Sequence, residues 1–139
     1  MASTNFSRPG LKTARNTLIN TTIGASAIIA FYTGTKPGDP SLAPTGTLLA
    51  SGPANATAFG VVTPGIATTD PTLTANAIGV FSASVAGTPG YCRISTAGGT
   101  AVIDCDCGAI GSGAPCIVTP ASFVAGQPVE ITSITITEG

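Results

Sequence analysis

The feature that most limits what this chain can fold into is residues 91–107, in which two β-compatible runs flank the pair Gly98-Gly99. A two-residue primed turn requires positive φ at its centre, and two consecutive glycines meet that requirement without steric cost. Taking Gly98 and Gly99 as such a turn sets Thr96 opposite Ala101, Ile94 opposite Ile103 and Cys92 opposite Cys105, which makes one apolar face. The other face then pairs Ser95 with Val102, Arg93 with Asp104 and Tyr91 with Asp106, an opposite-charge pair expected at the exposed surface. A three-residue loop slides the partners and sets Cys92 against a carboxylate. The two-glycine register is therefore the expected one.

The rest of the chain repeats this idiom of short strands and turn clusters. Beyond the hairpin, strand candidates fall at 27–33, 47–51, 56–62, 77–85, 116–118, 122–124 and 129–137. Eighteen glycines and eleven prolines separate them, and 34–44 forms a long Pro- and Gly-containing loop. In the last run, Val129 and Ile131 lie on one face while Ile134 and Ile136 have the opposite phase, so a bulge or two-sided burial is expected at Thr132-Ser133. Near the start, Leu11, Ala14, Leu18 and Ile19 recur at helical spacing between Pro9-Gly10 and Gly24, which predicts a short helix or helical turn. With 139 residues there is room for one domain and one core. The expected architecture is all-β, a single-domain β-sandwich, jelly roll or small barrel, with a basic arm and short helix in 1–24 and the β-rich domain in 25–139.

Four cysteines fall in or just after the hairpin. In the two-glycine register Cys92 and Cys105 form a non-hydrogen-bonded pair with Cα atoms about 4.5 Å apart, the short end of what a disulfide spans. Cys107 lies on the same face one step on, with Cys116 its natural partner across a Gly-rich loop. Of three possible connectivities, Cys92–Cys105 with Cys107–Cys116 is preferred. Two other readings stay open: four packed, reduced thiols, as cytoplasmic synthesis favours, or a zinc site, for which a CxxC knuckle is missing.

The composition excludes much chemistry. There is no His, which removes the commonest general base and every His-dependent triad, and Trp is also absent. Asp104 and Asp106 are the only close carboxylates, and they lie on one strand face instead of flanking a substrate. No GxxxxGK[ST] or GxGxxG phosphate loop occurs. No catalytic activity, cofactor, resident metal or small-molecule substrate is expected. Only 8% of residues are charged and the net charge is −1, a poor match to nucleic acid. No signal peptide or membrane span is visible, so synthesis and retention in a cytoplasm are expected. Arg8, Lys12 and Arg15 nevertheless gather three of the five basic residues at the N-terminus. That arm is expected to be mobile alone and to dock on an acidic surface of a partner.

Four stretches together, FYTGTKPGDP from Phe31 to Pro40, APTGTLLA from Ala43 to Ala50, YCRISTAGGTAVID from Tyr91 to Asp104, and VEITSITIT from Val129 to Thr137, resemble small virion structural proteins of tailed bacteriophages. The resemblance implies a β-rich accessory protein of the virion, of the capsid decoration or cement type, which clamps neighbouring major capsid subunits. By analogy it associates with copies of itself as a trimer. A tail, collar or fibre component is the alternative within virions. A carbohydrate-binding or adhesive β-sandwich is the alternative outside them, although the missing Trp and the two Tyr leave few stacking platforms for sugars.

Overall fold

The computed structural model describes residues 7–55 and 57–137. A π-helical turn, Arg8–Lys12, runs into α1, Thr13–Ile23, which stops at Gly24 in a positive-φ conformation. Eight strands follow: β1 Ile28–Tyr32, β2 Leu48–Pro53, β3 Thr72–Thr74, β4 Phe81–Ser82, β5 Tyr91–Ser95, β6 Ala101–Gly108, β7 Cys116–Thr119 and β8 Pro128–Thr137. They form one strongly curled sheet, a half-barrel, in the order β2-β1-β5-β6-β7-β8-β3, with β4 also paired to β8. The all-β expectation is met, with the short N-terminal helix in place. Among the described residues, no helix is long and apolar enough to cross a membrane.

Alternation builds the core. Ile29 and Phe31 of β1, Cys92 and Ile94 of β5, Val118 of β7 and Val129, Ile131 and Ile134 of β8 all point into the curl and are buried. Phe31 is the hub, with Phe81 and Phe123 edge-on at 6.3 and 5.7 Å between ring centroids. Gly52 on β2 lies under the Phe81 ring, where an added Cβ would come within 2.5 Å of a ring carbon, so close packing requires glycine there. In β8, Ile117 opposes Ser133 while Val118 opposes Ile131, which leaves Thr132 as the extra residue. That bulge lets Ile131 and Ile134 both face the core despite their opposite phase.

Several strand expectations shrink. Residues 57–62 make only isolated bridges, Thr57 to Ala25 and Phe59 to Ala75. The 77–85 run pairs only at Phe81–Ser82, and 122–124 contributes one bridge, Gly87 to Phe123. A curled sheet fills its open side with such irregular segments, which bury Ala58, Phe59 and Phe123 without a continuous ladder. The three-residue β3, which follows Pro71, is too short to stand out by pattern.

The hairpin register agrees with expectation over its lower half and departs from it at the turn. Tyr91, Cys92, Arg93 and Ile94 face Asp106, Cys105, Asp104 and Ile103, but Ser95 faces Ala101, so Val102 is bulged out. The Thr96 carbonyl accepts from Gly99 N–H, the Thr96 N–H donates to the Thr100 carbonyl, and Gly99 has φ +92°. The loop is therefore Ala97-Gly98-Gly99, three residues with Gly99 supplying the positive φ, and not a two-residue Gly98-Gly99 turn. The bulge at Val102 takes up the extra residue and restores the register below it.

Candidate functional site

The densest chemistry lies where β5, β6 and β7 meet. Cys92 and Cys105 are ladder partners, and Cys107, two residues along β6, shares their face. After Gly108 the chain turns through 109–115, with Gly111 and Gly113 at positive φ, and re-enters as β7 running parallel to β6. This parallel step is only two pairs long, Cys107 with Cys116 and Gly108 with Ile117. It brings the fourth thiol to the other three. The structure thus juxtaposes both pairs that the sequence suggested, as free thiols.

Cys92 Sγ and Cys105 Sγ are 3.0 Å apart, and the Sγ atoms of Cys92, Cys107 and Cys116 lie within 4.8 Å of one another. Cys92, Cys105 and Cys116 are buried and Cys107 is half-buried. The thiols therefore bond to each other within the apolar core. S–H groups of Cys107 and Cys92 donate toward Cys116 and hold its pKa well below the usual thiol range. Cys107 is pushed up, mainly by the bond to Cys116, and Cys92 is pushed up by its bonds to Cys105 and then to Cys107 and Cys116.

The opposite face of β5 and β6 differs from expectation. The Arg93–Asp104 pair is buried, with side chains 8% and 2% exposed, because the loop after β1 folds over it. Arg93 donates from Nε and Nη2 to the two carboxylate oxygens at 2.7 and 2.8 Å, and from Nη1 to the Leu42 carbonyl at 3.0 Å. The bond to Asp104 raises the guanidinium pKa further above its ordinary value. Tyr91 packs face to face on Tyr32 at 5.3 Å, donates its hydroxyl to the Thr45 carbonyl and accepts from Thr45 N–H. At the open end, Lys36 pairs with Asp106 at 2.8 Å. A sheet face that reads as solvated is thus a second, polar core tying down 34–45.

The N-terminal segment is docked on its own domain from residue 12 onward. Lys12 Nζ is 3.0 Å from Asp70 Oδ1, Gly65 N–H donates to Thr13 Oγ1, and Asn20 Nδ2 donates to the Gly60 carbonyl. Of the three basic residues proposed for the arm, Arg8 begins the π-helical turn, Lys12 is matched by Asp70, and Arg15 is exposed on α1. Residues 1–6 of the expected arm lie outside the described residues. Of the apolar stripe in the helix, Ile19 packs against the core. Asn16 and Ile23 are buried, whereas Leu11 and Leu18 are 57% and 65% exposed. Val61 and Ile66, on the segment that α1 grips, are 94% and 59% exposed. The helical spacing of Leu11 and Leu18 signals a stripe, while Lys12, Thr13 and Asn20, which bond to residues 60–70, mark the inward side.

No family model, curated protein or solved structure matches the chain.

Proposed function

We propose that the chain is a non-enzymatic virion structural protein of the decoration type, which binds the outer surface of a capsid and bridges neighbouring major capsid subunits, in association with copies of itself. The observation that carries this reading is the apolar outer surface of α1 and of residues 60–70, with Leu11, Leu18, Val61 and Ile66 exposed on a chain with few charges. Exposed apolar groups of this size mark a protein-binding surface, and three polar contacts tie residues 12–20 to the segment 60–70 that carries Val61 and Ile66. The resemblance of the hairpin and terminal strand to phage virion proteins supplies the partner. A ligand that binds the assembled lattice and not the loose subunit stabilises the shell by mass action. Symmetric self-association would present the same face several times over. In this reading α1 docks by its outer face, in place of a loose basic strap.

Cosedimentation of the purified chain with undecorated heads of the source particle tests the proposal, with isolated tails as the control. Leu18→Glu and Val61→Glu, both at exposed positions, should each weaken head binding by about thirtyfold, near 2 kcal/mol, with an unchanged urea midpoint. Unaltered binding by both variants, or binding to tails and not to heads, would overturn it.

A further inference from the structure

The four thiols do more than pack. We infer that Cys92, Cys107 and Cys116 form a three-thiolate site for a thiophilic d10 cation such as zinc, with Cys105 hydrogen-bonded to Cys92 outside the coordination shell. This inference does not depend on the virion reading.

The geometry separates this arrangement from a pair of disulfides. Disulfides need sulfurs two by two, whereas here three sulfurs from three strands converge on one point. With mutual distances within 4.8 Å, no corner of the triangle lies more than about 2.8 Å from a common centre. Zinc–sulfur bonds are about 2.3 Å, so shifts of about half an ångström bring all three sulfurs to bonding distance and leave the fourth tetrahedral position to water. Cys105 completes the arrangement in another way. Its Sγ lies 3.0 Å from Cys92 Sγ, placing an S–H where it can donate to a Cys92 thiolate. Outer-shell donors of this kind orient ligands and offset their charge.

Each S–H bond that binding breaks releases one proton to solvent, three metal–sulfur bonds form, and no electrons move. A divalent ion with three thiolates carries one net negative charge, at the edge of the core where Cys107 is half-buried. The loop 109–115, with Gly111 and Gly113 at positive φ, joins the strand of Cys107 to that of Cys116. The ion would clasp β5, β6 and β7 across the two-pair parallel step, the shortest ladder between neighbours in that part of the sheet.

The test is zinc titration of full-length chain purified anaerobically, against a chromophoric chelator. One zinc per chain, and sulfur-to-metal charge transfer with cobalt as the probe, are expected. Cys107→Ala, at the half-buried position and so the variant best placed to fold, should lose stoichiometric binding while its circular dichroism stays that of the parent. Cys105→Ala should still bind one zinc, ten- to a hundredfold more weakly. Folded parent protein that leaves zinc with a micromolar chelator would overturn the site. So would an intact mass short by two or four hydrogens in that preparation, or parental affinity in Cys107→Ala.

Discussion

Removing Asp104 while keeping Arg93 puts the second, polar core under direct test. In Asp104→Ala the guanidinium keeps only the Leu42 carbonyl and loses two charge-assisted bonds of 2.7 and 2.8 Å, at a side chain only 8% exposed. Bonds to charged groups contribute about 1.5–3 kcal/mol each, and breaking a buried pair from one side typically costs about 3–5 kcal/mol. A loss near 4 kcal/mol is therefore expected, a large share of the ~5–15 kcal/mol that holds a domain together. For a chain of this length it lowers Tm by about 13 °C. Urea unfolding followed by circular dichroism measures the first figure and calorimetry the second. The double variant Arg93→Met with Asp104→Leu removes both charges and fills the space, and should return to within about 1.5 kcal/mol of the parent. A single-variant cost below about 1.5 kcal/mol, or a double variant no more stable than Asp104→Ala, would refute the claim that the pair is desolvated and that its cost lies in the orphaned charge.

Tyr91→Phe deletes a hydroxyl that both donates to and accepts from Thr45, and should cost about 1–3 kcal/mol in urea unfolding while opening 34–45 to limited proteolysis. Unchanged cleavage of that loop counts against its anchoring role. Asn16 is fully buried in α1 with neither side-chain polar atom hydrogen-bonded, so Asn16→Ala, which removes the stranded amide and adds helix propensity, should raise stability by about 1 kcal/mol; a lower urea midpoint contradicts this.

How far the fold can be read from sequence depends on whether a feature is local. The lower hairpin register is legible because Cys92, Arg93 and Ile94 each find a sensible partner in Cys105, Asp104 and Ile103. The turn is not, because a three-residue loop followed by a bulge at Val102 yields the same pairs as a two-residue turn without one. The slip in β8 is legible because hydrophobic phase changes at Thr132 whatever lies opposite. Burial of Arg93 and Asp104 is not, since it depends on a loop about fifty residues earlier in the chain, which carries the Leu42 carbonyl. The same holds for α1: spacing picks out the stripe of Leu11 and Leu18, but which side faces the sheet is decided by Asp70, Gly65 and Gly60, whose positions no local pattern conveys. The cysteine pairs follow from the hairpin, whereas the convergence of Cys116 on both Cys92 and Cys107 needs the parallel turn of 109–115.

The pairing of β8 also sets a timetable. β3 and β4 each find their strand partner in β8, and β7 runs alongside it, so segments made early wait for residues 128–137. On the ribosome, β1, β2, β5 and β6 can zip into a partial sheet as they emerge, but the remaining side of the curl stays open, with Leu73 uncovered, until β8 emerges. Such long-range pairing folds slowly. Curl closure therefore follows the emergence of β8, and a chain cut short before β8 exposes apolar segments instead of forming a smaller stable domain.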